Sequence, residues 1–282
     1  MFKEIGIGCE KQEFFSEESS VAMFHRWSNS PQQDQESSEL HAESKIKELK
    51  GEIGPLSGHS LIYCTDACLK RYLEARNWNV DKSKKMLGET LKWRSTYKPE
   101  EIRWNTNSME NQMRHFVYML ENALLDLPPG EEQMAWLIDF TGWSITNNVP
   151  LKSARETINI LQNHYPERLA IAFLYNPPRV FEAFWKIVKY FLDSKTFQKV
   201  KFVYPKNKDS VELMKSYFDE ENLPKELGGK STMSYNHEEF SRLMVQDDLK
   251  CAAFWGSDEK LSNHVANGHS AAVFNETSPD KC

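Results

Sequence analysis

Three short apolar runs decide the fold class of this chain: MAWLIDF (134–140), RLAIAFLYN (168–176) and KVKFVY (199–204). Each run is continuous rather than alternating, which is typical of strands buried on both faces. Helical patterns separate the runs and follow the last one: LKSARETINILQNHY (151–165), RVFEAFWKIVKYFL (179–192) and SVELMKSYF (210–218). This alternation predicts an α/β fold with right-handed crossovers and a mostly parallel sheet covered by helices.

A small helical module precedes this region. A helical run begins at Asp66, and KSKKMLGETLKWRSTY (82–97) carries apolar residues at helical spacing. Residues 61–104 contain ten Lys or Arg against six Asp or Glu, although the whole chain of 282 residues has a net charge of −6. The acidic overall balance argues against a protein that binds nucleic acid through its global charge.

Composition divides the chain into four parts. Residues 1–57 and 233–282 are polar without a sustained period and are expected to be disordered tails, while 58–104 form the helical lobe and 105–232 the α/β lobe. The N-terminus lacks the apolar core of a signal peptide, and no run approaches about 20 apolar residues. The five cysteines are odd in number and scattered, so we expect a reducing, cytoplasmic location.

Several motifs invite a catalytic or metal-binding interpretation. Gly228-Gly229-Lys230-Ser231 resembles the end of a phosphate-binding loop, but Pro224 occupies the place of the required earlier glycine. Gly142-Trp143-Ser144-Ile145-Thr146 resembles a nucleophile elbow, with threonine in place of the final glycine. No H-E-x-x-H motif or second cysteine pair is present, so no metal site is predicted. An esterase with Ser144 as nucleophile stays an alternative.

The segment 179–192 has the most informative pattern. Its apolar face comprises Val180, Phe181, Phe184, Trp185, Val188, Phe191 and Leu192. Such a helix either covers the sheet as an ordinary crossover or lies in a membrane interface, and the pattern leaves both interpretations open. Residues 176–210 contain eight Lys or Arg against three Asp or Glu, so this part of the chain is basic.

Parts of the helical module and four later motifs resemble, in order, the CRAL-TRIO family of lipid-binding proteins. The resemblance covers about 61–232, and it is greatest to the yeast-type phosphatidylinositol/phosphatidylcholine transfer proteins and their plant branch. The stretches are LKRYLEARNWNVDKSKKMLGETLKWR (69–94), WLIDFTGWSIT (136–146), QNHYPERL (162–169), YNPPRVFEAFWKIVKYFLDSKTFQKVKFV (175–203) and ENLPKELGGKS (221–231).

The resemblance implies roles for particular residues. Ser144 and Thr146 match the hydroxyl pair that contacts the phosphatidylcholine headgroup phosphate. Arg76 matches part of the basic pair at the phosphoinositide site, with Asn77 where the family often has lysine. Residues 179–192 match the helix that gates the acyl-chain pocket. The residues expected to contact the membrane are Phe181, Phe184, Trp185, Lys186, Lys189 and Phe191.

The implied function is binding of a phospholipid and its transfer between membranes. We expect a cytoplasmic monomer that is peripheral to membranes with anionic lipids, needs no cofactor and performs no covalent chemistry, so it is not an enzyme. The alternative is a lipid-dependent regulator or presenter that acts on a kinase or trafficking partner without net transfer.

One feature departs from the family pattern. In the family, a segment with two strands of the sheet joins the helical lobe to the helix that matches 108–125. Here Asn105 is followed directly by Thr106 with no such segment. We therefore expect an uncovered sheet edge and one incomplete pocket wall.

Overall fold

A four-stranded sheet lies at the centre of the computed structural model, which describes residues 5–6, 32–104, 112–143 and 151–256. The strands, in spatial order, are β1 Ile5–Gly6, β2 Met134–Asp139, β3 Leu169–Tyr175 and β4 Val200–Val203. β2, β3 and β4 are parallel, with Trp136 opposite Ala172 and Leu174 opposite Phe202. The predicted parallel sheet is confirmed. The bounds of β2, β3 and β4 each agree within one residue with the bounds of the three apolar runs.

Helices precede the sheet and cover both of its faces. They are α1 Gln32–Ile53, α2 Gly58–Tyr63, α3 Asp66–Ala75, α4 Val80–Tyr97, α5 Gln112–Leu125, α6 Leu151–His164, α7 Arg179–Val188, α8 Ser194–Gln198, α9 Lys208–Tyr217 and α10 His237–Trp255. Successive strand residues point to opposite faces. Phe202 therefore meets Phe181 of α7 on one face, while Phe173 and Val203 pack against Met214 of α9 on the other.

The N-terminal strand β1 differs from the prediction of a tail over residues 1–57. Ile5 pairs antiparallel with Ile138, and Gly6 pairs with Leu137, at the outer edge of β2. A strand of two residues is too short to show alternation, so the sequence pattern did not reveal it. The edge that we expected to be uncovered is thus partly met by the chain's own N-terminal segment.

Helix α1 also corrects the predicted boundary at residue 57. Its side chain Leu49 is completely buried, and Ile46, Ile53 and Leu56 pack around the same core of the helical lobe. Few apolar residues, at spacings of three and four, anchor a helix that is otherwise strongly polar. Average composition therefore predicted a tail where the spacing of these residues makes a packed helix.

Helix α10 corrects the predicted tail over 233–282 in the same way. Met244, Cys251 and Trp255 are buried along one stripe of this helix. The carboxylate of Asp248 accepts hydrogen bonds from the Trp104 backbone N–H at 3.0 Å and from the Tyr118 hydroxyl at 3.0 Å. These contacts make α10 part of the folded domain rather than an extension of it.

A buried ionic cluster joins the helical lobe to the rest of the chain. Arg94 of α4 donates to Glu121 of α5 at 2.8 Å and to Glu100 of a 3₁₀ turn at 3.2 Å. The Tyr165 hydroxyl, just after α6, donates to the same Glu121 carboxylate at 2.6 Å. Burial raises the pKa of Glu121, but the charge and hydrogen bonds of Arg94 lower it more, so its pKa lies below the ordinary value. The carboxylate is therefore ionised in the core.

The loop over residues 223–231 explains the Gly228-Gly229-Lys230-Ser231 motif. A Cβ at Gly229 would overlap the Leu223 carbonyl oxygen, so only glycine fits. The backbone N–H groups of Gly229 and Ser231 donate to the carbonyls of Pro224 and Leu223. Because these N–H groups are already bonded within the loop, the motif closes a turn and does not cradle a phosphate.

We expect Gly229→Ala to lower the free energy of unfolding by about 1–3 kcal/mol, because the added carbon forces the backbone away from Leu223. Gly88→Ala is the matched control, since a Cβ at this exposed position inside α4 meets nothing within 4 Å. That change should stabilise the chain by about 0.8–1 kcal/mol. Urea denaturation measures both, and an unchanged midpoint for Gly229→Ala would contradict the loop geometry.

Candidate functional site

Helix α7 begins where β3 ends, and the local sequence fixes this junction. Asn176 adopts a left-handed backbone conformation with φ +51°, which ends the strand, and its side chain donates to the Thr141 hydroxyl at 3.1 Å. Pro177 and Pro178 follow, and proline favours a position just before or at the start of a helix. The chain therefore turns out of the sheet and directly into α7 at Arg179.

Aromatic rings fill the space between α7 and the sheet. We call this set the aromatic cluster; it consists of Phe140, Trp143, Phe181, Phe184, Trp185, Phe197 and Phe202. Phe181 lies at its centre, with ring centroids 4.3 Å from Phe140 and 5.7 Å from Trp143. Trp185 contacts Phe202 of β4 at 5.6 Å. The inner face of α7 and the sheet thus share a continuous apolar surface.

An exposed stripe along α7 and the turn after it is also apolar. Val180, Ile187 and Tyr190 are 40%, 50% and 81% exposed, and their spacing places them on one stripe, which we call the outer stripe. Exposed Lys186 and half-exposed Lys189 lie between these positions in the sequence. Sequence reasoning passed over Ile187 and Tyr190, although the helical period through 180, 183, 187 and 190 could have shown them.

Polar contacts tether α7 near its two ends. The Tyr204 hydroxyl donates to Glu182 at 2.9 Å near the start of the helix. Beyond its end, Gln162 of α6 donates to Asp193 at 2.8 Å. Each such hydrogen bond contributes only about 0.5–1.5 kcal/mol to stability. Few specific bonds therefore oppose a movement of α7 away from the sheet, and apolar packing supplies most of its attachment.

The residues predicted to contact a membrane have different environments. Phe181 is buried against the sheet, as the crossover interpretation requires, whereas Phe184, Trp185 and Phe191 are half-buried. The guanidinium of Arg155 lies 5.5 Å from the Phe191 ring centroid. In this conformation one face of α7 therefore covers the sheet, and the outer stripe is exposed to solvent.

The predicted headgroup residues are only partly within the described chain. Ser144 and Thr146 lie outside the described residues, which stop at Trp143 and resume at residue 151. Arg76 ends α3 and is half-buried. The ring of Trp143, which precedes Ser144, contacts Phe181 near the start of α7. Asn77, which follows Arg76, instead contacts Lys195 in the segment after α7.

A cation that sequence reasoning did not select contacts Asn77, the residue after Arg76. Lys195 of α8 donates to the side-chain oxygen of Asn77 at 3.3 Å and to the Glu74 carbonyl at 3.3 Å. Burial raises the pKa of Glu74, and the nearby charge of Lys195 partly opposes that rise. Lys195 and Asn77 are separated by 118 positions along the chain, so only the fold brings them together.

The histidine at the end of α6 has a structural role. His164 stacks on Trp93 with ring centroids 4.3 Å apart and lies within hydrogen-bond distance of the Thr90 hydroxyl, at 3.1 Å. Burial, with a smaller effect from the Arg94 charge, lowers the pKa of His164 to about 4. The imidazole is therefore neutral at pH 7 and is held at the contact between α4 and α6. Ser144, the nucleophile of the alternative esterase interpretation, lies outside the described residues.

Other features of the described residues bear on the class of site. No group of three or more His, Cys, Asp or Glu in these residues is placed to hold a metal ion. Cys64, Cys68 and Cys251 are buried free thiols. In the same ranges, every helix is too short or too polar to cross a bilayer.

Comparison with known families identifies the class of this fold. The family model described as CRAL/TRIO domain matches residues 94–229, and the model for the CRAL/TRIO N-terminal domain matches residues 43–89. Residues 43–89 and 94–229 thus match the two parts of the CRAL-TRIO family, the family that the motifs indicated. The match of the N-terminal domain begins inside α1, which agrees with the packing of that helix in the helical lobe.

Individual relatives are distant. A CRAL-TRIO domain-containing protein of Schizosaccharomyces pombe is 31% identical over 217 aligned residues, covering 66% of this chain and 21% of that protein. Phosphatidylinositol transfer protein PDR17 of Saccharomyces cerevisiae is 29% identical over 246 aligned residues, covering 71% of this chain and 68% of that protein. The chain thus spans about a fifth of the first relative and two thirds of the second.

A solved structure gives a looser likeness. The crystal structure of Sfh5 has a TM-score of 0.48 and 15% identity, covering 66% of this chain and 81% of that one. A likeness at that level adds nothing to the family assignment. The relatives named above are fungal, and the plant branch stays a prediction.

Proposed function

We propose that the chain binds a phospholipid between α7 and the sheet and exchanges it between membranes. The observation that carries this proposal is that α7 is apolar on its inner face, where the aromatic cluster lies, and along the exposed outer stripe. A helix with an exposed apolar stripe in addition to its buried face can insert that stripe into a membrane interface. A transfer role also fits the name of the relative PDR17.

The proposed exchange uses α7 as a movable cover. The outer stripe enters the membrane interface, and Lys186 and Lys189 favour anionic lipid by about 1 kcal/mol each near the surface. Once α7 lifts from the sheet, the aromatic cluster is exposed to acyl chains. Each CH₂ that leaves water for this surface contributes about 0.8 kcal/mol. Phe181, buried in the described conformation, then lines the path of the lipid.

The proposed headgroup partners are Ser144, Thr146 and Arg76. A phosphate that leaves water needs hydrogen-bond donors or a cation, because its desolvation is otherwise costly. Hydroxyl groups suit phosphatidylcholine, and a cation suits the additional charge of a phosphoinositide. The family often has a lysine at the position of Asn77. Here Lys195 of α8 contacts Asn77 and supplies a second positive charge near Arg76 instead. Phosphatidylcholine and phosphatidylinositol are the proposed ligands of a peripheral, cytoplasmic monomer.

The double variant Ile187→Asp, Tyr190→Asp tests the role of the outer stripe. Both side chains are exposed, so we expect the fold to persist. Transfer of fluorescent phosphatidylcholine between vesicles containing phosphatidylserine should fall at least about 10-fold, because two apolar contacts with the membrane are lost. Co-sedimentation with the same vesicles should fall in parallel.

Leu249→Asp is the matched control, since Leu249 is 70% exposed on α10, outside the proposed membrane contact. It should transfer lipid at the wild-type rate. Equal transfer by the outer-stripe variant and the wild type would refute the proposed contact. Retained lipid without transfer by the wild-type chain would favour the presenter or regulator instead.

We also propose that the chain lacks two strands present in its relatives at the junction of Asn105 and Thr106. In the described residues, the outer edge of β2 is paired by β1 only opposite Leu137 and Ile138. Each buried strand side chain contributes about 1.5–3 kcal/mol, whereas whole-domain stability is about 5–15 kcal/mol. Two missing strands therefore represent an amount comparable to the whole stability of the domain.

Inserting the two-strand segment of a CRAL-TRIO relative between Asn105 and Thr106 should raise the melting temperature and the transfer rate. The physical reason is that the insert covers the β2 edge and completes the pocket wall. A Gly/Ser insert of equal length is the control and should raise neither. Equal melting temperature and equal transfer with and without the strands would show that they are dispensable.

A further inference from the structure

A cavity lies on the face of the sheet opposite α7. Its volume is about 250 Å³, and it opens at the carboxyl ends of β3 and β4. Its walls are formed largely by apolar side chains, among them Val203, Met214, Phe218, Leu223 and Leu227. Ligands of open α/β sheets bind outside the carboxyl ends of the strands. The position therefore suits a ligand, and it is separated by the sheet from the aromatic cluster.

The Tyr175 hydroxyl projects into this largely apolar space. Tyr175, the last residue of β3, is buried, and its hydroxyl lies 4.0 Å from where a Cβ would stand at Gly228, another lining residue. Within the described ranges the hydroxyl has no hydrogen-bond partner. Burial raises the pKa of Tyr175, and the charge of Asp139 raises it further, so the phenol stays protonated. A hydroxyl in the cavity that no described protein group engages can donate to a ligand that supplies an acceptor.

The charges at the rim are already paired. Lys215 forms an ion pair with Glu220, and both residues line the cavity. Lys230 pairs with Glu221 at 2.6 Å and with Glu220 at 3.5 Å. With these cations engaged and Asp139 opposite Tyr175 on the neighbouring strand β2, the site disfavours an anionic ligand.

We propose that this cavity, which we call the Tyr175 cavity, binds a neutral aliphatic molecule with one oxygen acceptor, such as a medium-chain alcohol. The oxygen accepts from the Tyr175 hydroxyl, and the chain lies along Met214 and Leu223. An apolar cavity of about 150 Å³ holds benzene. The larger volume here suits a chain of about eight carbons by the same scale.

Titration of the full chain with 1-octanol, followed by amide chemical shifts, tests the site. Saturable shifts should centre on the ends of β3 and β4. Tyr175→Phe keeps the ring and removes the donor, so it should weaken binding about 2- to 10-fold. Val211→Phe should abolish binding, because Val211 lines the cavity and a larger ring there fills the space for the ligand. Val211 is 37% exposed, so the larger side chain does not require the core to repack.

Val245→Phe is the matched control, a similarly exposed valine on α10 that should leave octanol binding unchanged. Absence of saturable shifts, or equal affinity of wild type and Tyr175→Phe, would overturn the proposal. So would tighter binding of octanoate than of octanol, because the site would then select an anion. Loss of octanol binding in Phe184→Asp but not in Val211→Phe would place the probe beside α7 and overturn it as well.

Discussion

Arg94 and the carboxylates of Glu100 and Glu121 form the contact on which the arrangement of the two lobes depends. All three side chains are almost completely buried, and removing one member of such a cluster leaves an uncompensated charge at a cost of about 3–5 kcal/mol. The rings of Tyr63 and Trp255 lie 4.5 and 5.0 Å from the guanidinium carbon. The charge is thus enclosed by α2, α4, α5, α10 and the turn after α4, which fixes these segments together.

Helix α7 contrasts with this rigid arrangement. Its attachment consists of aromatic packing and a few polar contacts near its ends, such as Tyr204 to Glu182 and Gln162 to Asp193. A charge cluster tolerates little displacement, because each group must keep its partner, whereas apolar rings can exchange one apolar neighbour for another. The structure therefore combines a fixed frame with one cover whose inner contacts an acyl chain could replace.

The sequence predicted those features that depend on local pattern. Three continuous apolar runs gave the parallel strands, and the spacing of Phe181, Trp185 and Val188 gave the inner face of α7. It missed α1 and the packing of α10 against the domain, because the burial of Leu49 and Trp255 depends on partners that are distant in the sequence. Average composition hides such anchors, and both segments therefore resembled tails.

The candidate site depends even more on contacts between residues that are distant in the sequence, which local patterns do not predict. The pairing of Arg94 with Glu121 spans 27 residues, and that of Lys195 with Asn77 spans 118, so no local motif contains either. The Tyr175 cavity is formed by the ends of two strands and a loop that meet only after folding. The headgroup roles of Ser144, Thr146 and Arg76 come from family resemblance rather than from spacing, and they remain proposals.

Native mass spectrometry of the purified full chain tests the central claim, that a phospholipid occupies the space between α7 and the sheet. We predict a folded chain whose mass exceeds that of the polypeptide by one phospholipid, released as phosphatidylcholine or phosphatidylinositol on activation. Phe181→Asp, which places a charge at the centre of the aromatic cluster, should remove the bound lipid. A folded wild-type chain that carries no lipid after incubation with phosphatidylcholine and phosphatidylinositol vesicles would contradict the account.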